Sequence, residues 1–293
     1  MKKILITGID SFTGEYLSSY LEKYGYDIYG TSLFNESSKT YKCDITKKED
    51  LVSVFKSVQL DFIIHLSGIS YAAHGNTEEF YKVNTIGTIN ILDVLIELDM
   101  NPSKIILASS ATIYGNQGLE VLDESLCPIP ANHYGVSKYA MECIVKNYFS
   151  KLNIIITRPF NYTGVHQTDN FLIPKIVKHF KEKKDVIELG NLDVSREFND
   201  VEFVCEVYKK LLECNSNSSI VNICSGRGIK LLDVIDMMNN ISDYKIEIKV
   251  NPAFVRKDEI KSLTGSSKKL FEMIGYVKQK DFKDTLKTMY EDK

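Results

Sequence analysis

The sequence predicts an α/β protein, a doubly wound parallel sheet with a smaller α/β lobe toward the C-terminus. Three observations carry this. Short apolar runs alternate with helix-periodic stretches through the first half, as parallel strands joined by right-handed crossovers do. The first run ends in a glycine-containing turn that opens a helix, Thr7-Gly8-Ile9-Asp10-Ser11-Phe12-Thr13-Gly14. Beyond residue 160 the alternation gives way to shorter, less regular segments.

A chain of 293 residues can build a large core and one or two domains. Hydrophobic content of 44% and charged content of 26% are ordinary for a globular protein. A formal net charge of -3 argues against a nucleic-acid partner. No apolar run is long enough to span a bilayer. The apolar run after Lys2 and Lys3 stops at Thr7-Gly8, too soon for a secretory leader. Cys43, Cys127, Cys143, Cys205, Cys214 and Cys224 are scattered, with no Cys-x-x-Cys. Neither a disulfide framework nor a metal site is expected. The expectation is a cytoplasmic protein with free thiols and no membrane partner.

The elements follow in order. Residues 3–7 read as a strand, 14–24 as a helix closed by Gly25, and 26–30 as a second strand. Residues 49–58 place Leu51, Val54, Phe55 and Val58 at helical spacing. Residues 62–65 are a buried strand, 77–98 a long helix and 104–108 another strand. A helix starting near Tyr134 buries Met141, Ile144, Val145 and Tyr148, and 154–157 is the next strand. We expect a dinucleotide-binding domain over 1–160, rejoined by 200–226. The smaller lobe is expected over 161–199 and 227–293.

Tyr134 and Lys138 are four apart and share a helix face. A lysine cation beside a tyrosine favours the phenolate, which makes the pair a proton donor and acceptor. Taken alone, such a pair is most often an ordinary surface pair. Glycines at a strand-to-helix turn let the backbone approach a pyrophosphate, and the helix N-terminus adds free N–H groups. Ser11 stands where the full fingerprint has glycine; it fits if its φ is negative, with its hydroxyl free to donate to phosphate. The second strand ends Gly30-Thr31-Ser32-Leu33, with no acid to read a ribose and no adjacent arginine. The missing acid tilts the reading to NADP(H), with NAD(H) as the other option. Asp44 suits an adenine amino group or the cap of the next helix. His65 reads as a hydrogen-bonded core histidine.

Together these motifs resemble the extended short-chain dehydrogenase/reductase family that acts on nucleotide sugars. The resemblance rests on the glycine turn, Asp44-Ile45, His65-Leu66-Ser67-Gly68, Asn84-Thr85-Ile86-Gly87-Thr88 and Ser109-Ser110-Ala111-Thr112-Ile113-Tyr114-Gly115. It continues through Tyr134-x-x-x-Lys138, Arg158-Pro159-Phe160-Asn161, Arg196-Glu197-Phe198-Asn199-Asp200-Val201 and Arg256. It implies a Rossmann sheet and a catalytic set of Ser110, Tyr134 and Lys138. It implies that Thr7, Gly8, Ser11, Phe12, Thr13, Gly14, Ser32, Asp44, Ile45, Leu66, Ser67, Gly68, Asn84 and Arg158 hold the cofactor with Tyr134 and Lys138. The substrate would be held by Ser70, Ser110, Ala111, Thr112, Asn161, Asn170, Arg196 and Arg256. Guanidinium groups suit a diphosphate, although surface ion pairs are the other reading of both arginines.

Ala111 and Thr112 stand where this family's dehydratases place acids and its double epimerase-reductases a cysteine. That leaves a 4-keto reductase or a 4-epimerase. The second-lobe segments look most like reductases of GDP-6-deoxy-4-keto-mannose and also resemble GDP-mannose dehydratases. Val165-His166 departs from the Pro-Gly expected there, and Lys257 from a proline. The expectation is therefore NADP(H)-dependent 4-keto reduction of a GDP-4-keto-6-deoxy sugar. A 4-epimerase holding NAD tightly is the alternative, and a non-catalytic dinucleotide sensor a further one. The resemblance also implies a homodimer through the 77–98 helix and the helix of Tyr134.

Overall fold

A computed structural model describes residues 1–70, 75–255 and 259–292. Seven parallel strands form the main sheet: β1 Lys3–Thr7, β2 Asp27–Ser32, β3 Thr40–Lys42, β4 Phe62–His65, β5 Lys104–Ala108, β6 Ile154–Pro159 and β7 Ser219–Ile223. Their order is β7-β6-β5-β4-β1-β2-β3. The chain leaves β1 toward one edge, then returns to β4 on its other side. A crevice opens where the strand order reverses, beyond the C-terminal ends of β1 and β4.

The strands are apolar without interruption because both faces are covered. Ile4, Ile6, Ile64, Ile106 and Ile155 pack on one face with Leu17, Leu21 and Val204. These last three belong to α1 (Phe12–Lys23) and to the helix Val201–Glu213. Leu5, Ile63, Ile105 and Ile154 pack on the other with Leu51, Leu92 and Met141, which lie on α2 (Lys48–Ser57), α3 (Thr88–Glu97) and α4 (His133–Val145). On α4, Met141 and Val145 are buried and Ile144 only half-buried, as is Tyr148 in the short turn that follows the helix.

The expected uniform helix over 77–98 is wound in three pieces: Thr77–Glu79, a π-helix over Phe80–Gly87, then α3. Polar side chains inside it satisfy backbone groups. Thr88 Oγ1 donates to the Asn84 carbonyl at 2.8 Å, and Thr85 Oγ1 donates to the Ser137 carbonyl at 2.9 Å. Such wide turns cluster at functional sites, and this one aims Asn84 at the crevice side of α4.

The smaller lobe packs helices Leu172–Lys181, Leu231–Ser242 and Phe282–Glu291 around Ile176, Phe180, Val234, Met238 and Leu286. A three-stranded sheet joins Gly228–Lys230, Ser195–Glu197 and Ser262–Leu263. Its hub is Glu197, whose carboxylate accepts from the backbone N–H of Ser225, Gly226 and Gly265 at 2.6, 3.2 and 2.6 Å. Ser225 Oγ and Asn199 Nδ2 donate to it as well. Burial holds this carboxyl above its usual pKa, against those hydrogen bonds.

Arg158, expected at the cofactor, is instead 2% exposed in the core. Its Nε and Nη2 donate to the two Glu142 oxygens at 3.1 and 2.7 Å, and Nη1 donates to the Tyr114 hydroxyl at 2.9 Å. Tyr114 in turn donates to Asn222 Oδ1 at 2.7 Å. The guanidinium is thus consumed inside the fold. Removing one member of a buried pair strands a charge, so Arg158→Met is expected to cost ~3–5 kcal/mol in urea unfolding at pH 7. Adding Glu142→Leu should recover most of that loss; no recovery would contradict this assignment.

Candidate active site

The crevice is a cleft of about 380 Å³. The half of the chain that builds the sheet supplies Ser11, Phe12, Thr13, Leu66, Gly68, Ile69 and Ser70 from its loops and α1, with Ser109, Ser110 and Thr112 after β5 and Tyr134 and Lys138 on α4. The other wall comes from Phe160, Asn161, Tyr162, Gln167, Thr168, Phe171 and Leu263. Among the described residues lining it there is no carboxylate.

The turn after β1 is built for close approach. Gly8 has φ +70, and a Cβ there would press on Ser67 at 3.1 Å. A Cβ on Gly14 would stand 2.4 Å from the Gly8 carbonyl oxygen. Ser11 has φ -78, so a serine fits, and its side chain accepts from the Gly14 N–H at 3.1 Å as the N-cap of α1. Its hydroxyl hydrogen remains available. Thr7 sits behind the turn, 0% exposed, sharing a 2.7 Å hydrogen bond with His65 Nδ1. His65 Nε2 meets Thr88 Oγ1 at 2.9 Å, and burial pushes the ring's pKa down to about 3, so it is neutral.

Tyr134 lies in the first turn of α4, whose start is capped by Asn132 accepting from Gly135 N–H at 2.9 Å. It is 7% exposed. Ser110 caps the short turn Ala111–Tyr114, accepting from Thr112 N–H at 3.2 Å and from Thr112 Oγ1 at 2.9 Å. Thr112 thereby orients Ser110, while Ala111 is packed in the floor at 1% exposure. Burial raises the pKa of Tyr134, and hydrogen bonding with Ser110 partly offsets this. The expected lowering by Lys138 is not what sets it. Lys138 Nζ donates to the Ala108 carbonyl at 2.8 Å. Its own pKa is pushed down to about 8 by burial, opposed by Glu142 one turn on.

Asn84 is buried, with Oδ1 accepting from Ile69 N–H at 2.8 Å and Nδ2 donating to Ser137 Oγ at 3.1 Å. It shapes the wall without lining it. A Cβ on Gly68 would meet Asn84 Oδ1 at 2.9 Å and Lys138 Nζ at 3.2 Å, so only glycine leaves Lys138 open. The Ser109 hydroxyl is buried and lacks a hydrogen-bond partner among the described residues. An orphaned hydroxyl in the cleft that Lys138 also lines, a glycine-lined turn and a capped helix N-terminus fit a nicotinamide dinucleotide.

Other expected residues stand elsewhere. Asp44 closes its own turn, accepting from Thr46 N–H and Oγ1 at 3.0 and 2.7 Å. Ile45 is buried beneath Gly87. Asn170 is exposed outside the cleft, where its neighbours Gln167, Thr168 and Phe171 line the wall instead. Arg196 is not in the cleft: its guanidinium donates to Glu259 at 2.7 Å and to the Ser195 and Lys261 carbonyls. Arg256 lies outside the described residues. Ser109, Tyr162, Phe171 and Leu263 were not expected. Tyr162 follows the Arg-Pro-Phe-Asn run and shares a 2.7 Å hydrogen bond with Thr13 Oγ1. Nothing in the local spacing marks Leu263.

Residues 4–224 match the NAD dependent epimerase/dehydratase family. The chain is 37% identical over 274 residues to the GDP-6-deoxy-D-talose 4-dehydrogenase of Aggregatibacter actinomycetemcomitans, covering 93% of this chain and 91% of that protein. Among solved structures, a putative epimerase from Burkholderia cenocepacia superposes with a TM-score of 0.92 at 38% identity, covering 99% of this chain and 97% of that one. RMD from Pseudomonas aeruginosa, complexed with NADPH, superposes at 0.86 with 26% identity over 99% and 96% of the two chains. With its parallel sheet, its glycine turn and its Ser110, Tyr134 and Lys138 gathered in one cleft, the chain belongs to the NAD dependent epimerase/dehydratase family, the extended short-chain dehydrogenase/reductases.

Proposed function

We propose that this protein is a dinucleotide-dependent oxidoreductase that interconverts the 4-hydroxyl and 4-keto forms of a GDP-linked 6-deoxyhexose. The observation that carries this is the meeting of Tyr134, Ser110 and Lys138 at one point of the cleft. Ala111 and Thr112 stand beside them, where water elimination needs an acid. The GDP-sugar reading is supported by the similarity to a 4-dehydrogenase of GDP-6-deoxy-D-talose.

When bound, the nicotinamide gives or accepts a hydride. The residues then manage the oxygen. On reduction, the carbonyl oxygen gains negative charge as the hydride reaches carbon. Ser110 donates a hydrogen bond to it, oriented by Thr112, and Tyr134 delivers the proton. Charged Lys138 stabilises the phenolate left behind and would hold the ribose of a bound nicotinamide nucleotide. The lobe wall near Asn161 faces the nucleotide, and Ser70 the sugar. A 4-epimerase with tightly held NAD is the second reading, supported by the likeness to a putative epimerase. It needs the same three residues and differs in keeping its cofactor.

Loss of reduced-nicotinamide absorbance on adding GDP-4-keto-6-deoxymannose is the expected outcome. No turnover there, with tight NAD and exchange of a GDP-sugar's C4 configuration, would hand the case to the epimerase. Tyr134→Phe should lower kcat by roughly 10²–10⁴; a rate near wild type would sink the proton role. Lys138, with its pKa near 8, is charged below that pH and neutral above it. Reductive kcat is therefore expected to fall as pH rises through about 8, and a flat profile to pH 10 would contradict the assignment.

Reducing, cytoplasmic conditions suit the free thiols. No helix among the described residues is long and apolar enough to cross a membrane. We further propose a homodimer through the 77–97 helical run and α4, which leave Ile86, Ile96 and Val136 exposed at 48%, 36% and 37%. Light scattering at micromolar concentration should give twice the chain mass; a monomer would refute it.

A further inference from the structure

Asp10 lies in the glycine turn, but its carboxylate reaches the end of β2. Its Oδ2 accepts from Ser32 Oγ at 2.5 Å and from Asn35 Nδ2 at 3.1 Å. Ser32 Oγ is fully committed, since it also accepts from the Phe34 and Asn35 N–H groups at 3.0 and 2.9 Å. Asp10 is exposed, and its Oδ1 has no hydrogen-bond partner among the described residues.

The end of the second strand, beside the first glycine turn, is where a doubly wound sheet holds the adenosine ribose. An acid there accepts from ribose hydroxyls, and it repels a phosphate placed on the 2′ oxygen. The usual acid is the last residue of the strand itself. Here that position is Ser32, and the acid arrives from 22 residues earlier in the chain. Counter-charge for a 2′-phosphate is scarce. No arginine precedes Arg158 in the sequence, and Arg158 is sealed in the core. Lys39 is held by Asp27 at 2.7 Å. Lys42 stands opposite Ser32 in register on β3, one strand farther out.

We infer that Asp10, braced by Ser32 and Asn35, is the residue that selects NAD(H) over NADP(H), its free oxygen receiving a ribose hydroxyl that a 2′-phosphate would replace. The tilt toward NADP(H) from the bare end of β2 is thereby reversed. This rests on the reading of the Gly8 turn as a dinucleotide site, but not on the identity of the sugar.

The test is calorimetric titration of the purified full chain with ADP-ribose and with its 2′-phosphate, which probe binding without turnover. Wild type should bind ADP-ribose on the order of tenfold tighter or more. Asp10→Ser should erase most of that gap, and Asp10→Asn, which keeps the shape and removes the charge, should fall between. Cofactor that copurifies is released with acid and identified by mass; NAD supports the inference and NADP overturns it. Equal or tighter binding of the 2′-phosphate overturns it too, as does an unchanged ratio in both variants with wild-type melting temperatures. Selective ADP-ribose binding without turnover of GDP-4-keto-6-deoxymannose keeps this inference and defeats the substrate reading. Binding of neither probe defeats the dinucleotide reading and this inference with it.

Discussion

The ion pair of Glu142 and Arg158 anchors the helix that carries Tyr134 and Lys138. Both side chains are almost fully enclosed, 0% and 3% exposed. Charges in such a place hold only in a tight geometry, because their loss of hydration must be offset at short range. The pair joins α4 to β6, and Tyr114 and Asn222 extend it to the turn after Ser110 and to β7. Ser110, Tyr134 and Lys138 therefore hang from one polar chain. Arg158 also answers the charge of Glu142, one turn from Lys138. That arrangement is consistent with Lys138 keeping a depressed pKa despite an acidic neighbour.

How far the molecule could be read from its sequence divides along one line. What depends on local period was legible. The strand Lys3–Thr7 follows from a short apolar run closed by a glycine turn, and the helix around Leu51, Val54 and Phe55 from helical spacing. Ser110, Tyr134 and Lys138 were legible through the order of the motifs, and the structure brings them together in the cleft. What depends on a distant partner was not. Arg158 and Arg196 carry the right group for phosphate, yet their guanidiniums are taken by Glu142 and by Glu259, the latter 63 residues away. Asp10 was passed over because it belongs to one element in sequence and serves the end of another in space. The wide helical turn at Phe80–Gly87 escaped for a related reason, since its hydrogen bonds run to side chains that a periodic pattern cannot distinguish from solvent-facing ones.

The cleft itself is a joint between sheet and lobe. Thr13 at the start of α1 is hydrogen-bonded to Tyr162, in the two-residue strand Tyr162–Thr163, and Tyr16 donates to the Val165 carbonyl at 3.1 Å. Phe12 stacks on Tyr162 with ring centres 6.3 Å apart. The start of α1, on one side of the cleft, is thus in contact with the wall on the other. Order in one limits the freedom of the other.

Glu197 carries a different implication. Three of its five donors are backbone N–H groups, which every residue except proline supplies. The loops around Ser225 and Gly265 are therefore held in place by one side chain, but Gly226 at φ +80 and Gly265, where a Cβ would stand 2.5 Å from Phe160, need glycine to bring their N–H groups to it. The information for that region of the lobe is concentrated in one carboxylate and two glycines. The loops can change at their other positions and keep their path, so long as that acceptor and those two glycines stay.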